Sequence, residues 1–378
     1  MKAVGLFAGI GGLELAFERN GFETTLLCEN RPAAQAVLSE RFPHAQLQAD
    51  VRDLTFLPKG TDIVYAGFPC QDLSSSGLKS GINGTKSSLV GEMIRLISKH
   101  PPEWLVLENV RFMLHLQKGE AMNTIVSALE HLGYSWAYRV INTLAFGLPQ
   151  RRHRVFIVAS LNHDPRMALF ADDTDGSIVE ESPTPPERPT GFYWTEGAYA
   201  TGLADNAIPP LKGGSGLGIP SAPAIFLPNG TIGTPQMRDA ERLQGFPAGW
   251  TDSAEKAEKP SMRWQLVGNA VSVPVAEWLS RRIVSAMQDT ELLIGPGAPI
   301  SGKWPNAAAN VDGRRLAYPL SEAPIACSRV GLDDFLTAPL KPLSLRAAKG
   351  FLKRARSGRL RYPNGFLESI QSYATEVA

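Results

Sequence analysis

A cysteine follows directly on a strand signal in Gly67-Phe68-Pro69-Cys70-Gln71. The preceding run, Asp62 to Ala66, reads as a short buried strand, and Asp72 to Lys86 is too rich in Ser and Gly for a regular element. Cys70 therefore stands just past the carboxyl end of a strand, at the root of a loop. In an open α/β sheet that edge is where ligands bind. A thiolate there can act as a nucleophile; a strand-end cysteine that merely packs is the alternative. Trp104 to Leu107 is a further strand and ends at Glu108-Asn109-Val110, which brings a second ionisable group to the same edge. Thiol and carboxyl together are the ingredients of covalent catalysis with proton transfer.

The elements that must position these groups begin at the N-terminus. Ala3 to Phe7 is a strand candidate, Ala8-Gly9-Ile10-Gly11-Gly12 a turn, and Leu13 to Asn20 a helix that stops at Gly21. Strand, glycine-rich turn and helix open a nucleotide-binding βα unit, or simply a tight βα turn. The next strand, Thr24 to Cys28, ends at Glu29-Asn30, where a carboxylate can accept from ribose hydroxyls; a helix cap before Arg31-Pro32 is the other reading. A third strand near Gln46 ends at Asp50-Val51, where a carboxylate can accept from an exocyclic amine. Helices at Leu89 to His100 and Gly119 to Leu132 alternate with strands up to Ser160. Gln150-Arg151-Arg152-His153-Arg154 leads into the last of these strands. This alternation predicts a doubly wound, mostly parallel sheet.

The pattern changes near Asn162. Acidic residues (Asp172, Asp173, Asp175, Glu180, Glu181), a Pro-rich run, the aromatic cluster Phe192-Tyr193-Trp194 and a Gly/Ser/Pro-rich stretch predict a small, irregular, partly β module. The acidic stretch reads as a solvated loop, and the aromatics as the core of the module. Helices return at Asp239 to Leu243 and after Val267. Residues 295 to 342 read as loop-rich. Ser344 then looks like an N-cap, Leu345, Ala348, Phe351, Leu352 and Ala355 form an apolar stripe, and Gly358 fits the C-terminal stop.

The chain has 378 residues and a formal net charge of +1, so nucleic-acid binding would have to come from local basic patches. Three separated cysteines make no disulfide framework and fit a reducing, cytosolic setting. Six scattered histidines show no metal-ligand spacing, and no run is long and apolar enough to span a membrane.

These motifs, in this order, resemble the DNA (cytosine-5)-methyltransferase family of bacterial type over most of residues 3 to 280. Phe7-Ala8-Gly9-Ile10-Gly11-Gly12, Glu29-Asn30 and Asp50-Val51 match cofactor motifs, Gly67 to Gln71 the nucleophile motif, and Ser87-Ser88-Leu89 the next one. Glu108-Asn109-Val110, Gln150 to Arg154, Arg242 to Pro247 and Gly268-Asn269-Ala270-Val271 match the remainder. Gly5 stands where many members carry Asp, and Thr234 to Glu241 is spaced differently from the commonest pattern.

The resemblance implies an α/β fold: a Rossmann-like, doubly wound S-adenosyl-L-methionine-dependent methyltransferase domain, a small irregular target-recognition domain and a C-terminal extension. The divisions expected are 1–161 for the first part of the catalytic domain, 162–232 for target recognition, 233–287 for the hinge and return, and 288–378 for the extension with its basic helix. Cys70, Glu108 and Arg154 are the implied catalytic residues. Phe7, Gly9, Ile10, Gly11, Gly12, Glu29, Asn30, Asp50, Val51, Pro69, Leu89, Asn269 and Val271 would line the cofactor site. Gln71, Ser74, Ser76, Arg152, Arg188, Lys212 and Ser215 are candidates for DNA contact, with a structural ion pair the alternative for Arg152. The implied partners are double-stranded DNA and a cognate restriction endonuclease, for a monomer in a prokaryotic cytoplasm. An RNA cytosine methyltransferase and a catalytically silent DNA-binding relative are the alternatives, and intact Cys70, Glu108 and Arg154 argue against the second.

Overall fold

The structure, a computed structural model, describes residues 1–68, 89–174, 187–212, 222–288 and 294–376. Pro69, Cys70, Gln71, Ser74, Ser76 and Ser215 lie outside the described residues. The chain forms two compact units. The first comprises Met1–Asn142, His153–Ser177 and Val271–Ile325; the second comprises Thr143–Arg152, Ile178–Ala270 and Ala326–Ala378.

The first unit is built on a ten-stranded sheet. Strands β1 (Lys2–Leu6), β2 (Glu23–Cys28), β3 (Gln46–Gln48), β4 (Ile63–Ala66) and β5 (Trp104–Val110) lie parallel in the order 3-2-1-4-5. Helices α1 (Gly12–Glu18), α2 (Pro32–Arg41), α3 (Leu89–Lys99) and α4 (Glu120–His131) alternate with them. All four residues of β4 are buried, as expected of a parallel strand covered on both faces.

Beyond β5 the sheet turns antiparallel. β7 (His153–Ser160) lies between β5 and β6 (Ser135–Asn142) and runs against both. The mostly parallel sheet predicted from the alternation thus describes one half only. The reason is the connection: ten residues without a crossover helix join β6 to β7, and such a link returns a strand antiparallel. Residues 295 to 325, expected as loops, add β8 (Ala298–Pro299), β9 (Ala307–Val311) and β10 (Arg314–Ala317) outside β6. Ala307-Ala308-Ala309 has little intrinsic strand preference, so pairing with β6 makes it a strand. Trp304 packs edge-on against Trp136 and Tyr138 beside it. Helix α5 (Val273–Ala286) returns to α1, where Asn20 donates to Ser280 (2.8 Å) and Arg19 pairs with Glu277.

The second unit holds a five-stranded antiparallel sheet in the order Lys341–Pro342, Ile232–Thr234, Ala224–Phe226, Thr190–Phe192, Ala204–Asp205. Its core joins Phe192, Ala224, Phe226 and Ile232 to residues of two C-terminal helices, α6 (Leu345–Ser357) and α7 (Phe366–Glu376). Phe351, on α6, packs on Phe192, and Phe366, on α7, meets Phe192 edge-on. Ser344 caps α6 by accepting the Ala347 N–H. Gly358 ends it with φ −85°, not the left-handed conformation a stop signal implies. Glycine is needed there because a Cβ would meet the Ala198 carbonyl oxygen at 2.5 Å.

Residues after 288 divide between the two units, and the last part supplies most of the core of the second. Truncating Phe351, which is fully buried, should cost about 3–5 kcal/mol. Urea unfolding of Phe351→Ala should show that loss, whereas Ser372→Ala at an exposed position should stay within about 0.5 kcal/mol of the parent.

Candidate active site

The glycine-rich loop leaves β1 through backbone that few side chains tolerate. Phe7 has φ 57°, Gly9 58° and Gly11 80°. A non-glycine residue in the left-handed region carries about 1–3 kcal/mol of strain, which its surroundings must offset. Here the Ala8 N–H donates to the Cys28 carbonyl (3.0 Å) and the Gly9 N–H to Glu29 Oε2 (2.8 Å). The other Glu29 oxygen accepts from the Arg31 N–H (2.9 Å) at the start of α2, as the helix-cap reading expects. One carboxylate thus ties the loop to the end of β2. A Cβ on Gly9 would meet nothing within 4 Å, so open space faces the loop beside Glu29.

The other strand-end acid is engaged differently. Asp50 caps the turn Val51–Asp53 and takes a two-pronged bond from Arg52, at 2.9 and 2.6 Å. These bonds hold its carboxyl below the usual carboxylate range. Val51 and Ile10 are buried, Asn30 is exposed, Leu89 begins α3, and Val271 stands two residues before α5.

Glu108 and Asn109 occupy successive positions of β5, and successive side chains of a strand leave opposite faces. Asn109 Nδ2 donates to the Phe68 carbonyl (3.0 Å), a buried bond that clamps the chain one residue before Pro69. Glu108, 8 % exposed, lies against the end of β4, where a Cβ on Gly67 would sit 3.7 Å from its Oε2. Its Oε1 is 3.1 Å from Nε of Arg154, which enters from β7 and also donates to the His153 carbonyl. The structure therefore brings Glu108 and Arg154 together and fixes Phe68, the last described residue before Cys70, next to them. Cys28, at the end of β2, is unlike a nucleophile: burial, with Glu29 and Asp50 nearby, pushes its thiol up to about 12.

Gln150 and Arg152, four and two residues before Arg154, belong to the second unit. Gln150 donates to the Leu243 carbonyl (2.8 Å) and Arg152 to the Gly268 and Ala270 carbonyls (3.1 and 2.7 Å). Gln244 adds a bond to the Val267 carbonyl (2.8 Å). Arg152 is 1 % exposed, so in place of the expected DNA contact it fastens the turn that carries exposed Asn269. Arg188 pairs with buried Asp205 (2.9 Å), and Lys212 with Glu196 while lying over the Tyr193 ring. Both side chains remain partly exposed, at 39 % and 38 %. The start of the acidic stretch is not a solvated loop. Asp173 pairs with buried Arg139, and Asp172 accepts from Trp278 Nε1 (2.8 Å). Among the described residues no group of His, Cys, Asp or Glu could hold a metal ion.

One residue escaped the sequence reading. Glu14, in the first turn of α1, is 1 % exposed, and its Oε2 is buried without a hydrogen-bond partner among the described residues. Its carboxyl fills the space that a side chain on Gly5 would need. The helix beside β1 thus brings a carboxyl against Gly5. The signal was available as a pair: a glycine inside a buried strand and a lone Glu on a buried helix face. Burial, helped by Glu18 and Glu29, pushes this carboxyl up to about 8 from 4.5. The unfolded chain ionises near the lower value, so across that interval the folded state holds the extra proton and stability falls as pH rises. One such group contributes a slope of up to about 1.4 kcal/mol per pH unit. Glu14→Gln should flatten the fall in urea-unfolding free energy between about pH 5 and about pH 8, and an unchanged slope would reject this account of Glu14.

Comparison with known proteins bears on the same residues. The C-5 cytosine-specific DNA methylase family profile matches residues 1–188. The type II methyltransferase M2.BsuMI of Bacillus subtilis (strain 168) is 42% identical over 385 residues, covering 98% of this chain and 97% of that protein. The type II methyltransferase M.NlaX of Neisseria lactamica is 28% identical over 76% of this chain and 97% of its own. Among solved structures, the Dnmt2 methyltransferase of S. pombe shares the fold with a TM-score of 0.54 and 16% identity, over 75% of this chain and 99% of that one. The chain belongs to the C-5 cytosine-specific DNA methylase family and is a DNA cytosine-5-methyltransferase.

Proposed function

We propose that the protein methylates C5 of a cytosine at a specific DNA site, with Cys70 as covalent nucleophile and the target base turned out of the duplex. The observation that carries this reading is the convergence at one sheet edge of Glu108, Arg154 and the clamped backbone of Phe68, immediately before Pro69-Cys70.

C5 of cytosine is a poor nucleophile. Attack of the Cys70 thiolate at C6 forms a C–S bond and pushes electron density to C5, which then takes a methyl group. Glu108 lies where it can share a proton with N3 as the adduct forms, and Arg154 where it can donate to O2 and hold the ring. Their mutual contact orients both groups before the base arrives. Loss of the C5 proton to a solvent-derived base and departure of the thiol restore the aromatic ring.

S-adenosylmethionine, when bound, supplies the methyl group as a sulfonium electrophile. The residues of the first unit fit it: the open space beside Gly9, the Glu29 carboxylate and buried Ile10 and Val51 are a setting for a nucleoside-bearing ligand. We assign Phe7, Gly9, Gly11, Gly12, Asn30, Asp50, Pro69, Leu89, Asn269 and Val271 to the same role by their place in the matching motifs. The reacting atoms are inaccessible in a duplex, so the base must leave the stack at a cost of a few kcal/mol. Gln71, Ser74 and Ser76, in the segment after Cys70, are the proposed groups that occupy the space it vacates, and Ser215 is proposed to touch DNA in target recognition. A partner endonuclease for the same site and action as a monomer complete the proposal.

Duplex DNA carrying 5-fluorocytosine should trap the protein in a denaturation-resistant adduct in the presence of S-adenosylmethionine, because fluorine cannot leave as a cation. Mass spectrometry should map the bond to Cys70, and an adduct on RNA alone would reject DNA as substrate. Cys70→Ser should abolish turnover, and Glu108→Gln should lower kcat by about 10²–10⁴-fold with a smaller effect on DNA affinity.

A further inference from the structure

Residues 341 to 361 contain eight Lys or Arg and no Asp or Glu, in a chain whose 38 cationic and 37 anionic residues nearly cancel. Helix α6 sorts these charges. Ala348, Phe351, Leu352 and Ala355 face the core. Arg354 turns inward as well, donating to the Trp194 and Glu196 carbonyls at 2.8 and 3.1 Å. Arg346, Lys349, Lys353 and Arg356 are all exposed. Their spacing of three, four and three residues lines them up in one stripe about 15 Å long, on the side away from the core. Exposed Arg359 and Arg361 continue it past the helix end. None of these six cations forms an ion pair with the described residues.

The stripe does nothing for the helix. Like charges three and four residues apart repel, and Arg346 stands in the first turn, where the helix dipole disfavours a cation. No acidic residue occupies that turn. A second feature adjoins the end of α6. The loop from Trp194 to Ala200 is held there by Arg354, by the Tyr362 hydroxyl donating to the Gly197 carbonyl, and by the close approach of Ala198 to Gly358. It carries Tyr199, which is 93 % exposed. An aromatic hydroxyl held in solvent beside a row of unpaired cations suits a polyanion.

We infer that the exposed face of α6, extended by Arg359, Arg361 and Tyr199, is a docking surface for the phosphate backbone of duplex DNA. The inference rests on the proposed reading of the chain as acting on DNA. Duplex DNA carries one negative charge per about 1.7 Å of its axis, so a stripe of about 15 Å faces several phosphates at once. Such contacts position the protein without reading sequence. The second unit would thereby hold DNA through a helix that is also part of its hydrophobic core.

The test is the salt dependence of binding. Affinity of the full-length protein for a fluorescent mixed-sequence duplex is measured by anisotropy over a range of salt, for the parent and for R346Q/K349Q/K353Q/R356Q. Each phosphate contact contributes about 0.9 to the slope of log affinity against log salt, so the slope should shrink by about three to four and low-salt affinity should fall by more than tenfold. Retaining charge in R346K/R356K should restore the parental slope. An unchanged slope in the quadruple variant, from a parent that binds and methylates DNA, would overturn the inference alone. A loss seen with single-stranded RNA but not with the duplex would overturn it too. A parent that neither binds nor methylates duplex DNA would overturn the proposed function beneath it.

Discussion

Arg154 reaches Glu108 because β7 runs antiparallel to β5 in one register. Val110 stands opposite Arg154 and Glu108 opposite Phe156. Partners directly opposite share a face, and so do residues two apart, so Glu108 and Arg154 are diagonal neighbours on one face, within reach of long side chains. Asn109, between Glu108 and Val110, leaves the other face and clamps the Phe68 carbonyl. A slip of β7 by one residue would turn Arg154 away from Glu108 altogether. The pairing of the two residues depends on that register, and so does the placing of both beside the end of β4.

The register is protected by burial. β5 and β7 are almost wholly buried, and apolar neighbours from β4 and β6 surround them. A shifted register would bring charged side chains into this core, at a cost of several kcal/mol each. The glycine-rich loop follows the same logic at the other strands, where Glu29 holds the loop through the Gly9 N–H and the start of α2 through the Arg31 N–H. Glu14 is the exception. Its carboxyl is buried with one oxygen unpartnered among the described residues, and the structure accepts that cost in the space left by Gly5.

In the second unit the polar residues of the shared motifs act as fasteners. Gln150, Arg152 and Gln244 are buried and bond to main-chain carbonyls of the Leu243 and Val267–Ala270 segments. The Gln-x-Arg-x-Arg run is evenly spaced, yet Gln150 and Arg152 belong to the second unit and Arg154 to the first. Buried hydrogen-bonded groups of this kind are costly to disturb, because a lost partner strands a desolvated donor. That explains why such residues cannot be read as surface contacts from charge alone.

Much of the parallel half was legible in the sequence. The strands ending at Cys28, Ala66 and Val110 and the helices between them follow from period, Gly stops and apolar runs, which are local properties. The motif order carried the family, and with it Cys70, Glu108 and Arg154 as a set. The sequence by itself therefore determined the family and named the groups proposed to act in it. Tertiary structure alone decided how the remaining charges are used. Which partners Arg152, Arg188, Lys212, Asp172 and Asp173 take depends on residues from 16 to about 150 positions away. The same holds for the strands at Ala298–Ala317, which exist because β6 offers an edge, and for the last fifty residues, which belong to a core assembled from distant segments. Local sequence sets conformational preference and hydrophobic period; pairing partners and burial are settled only when the chain has closed on itself.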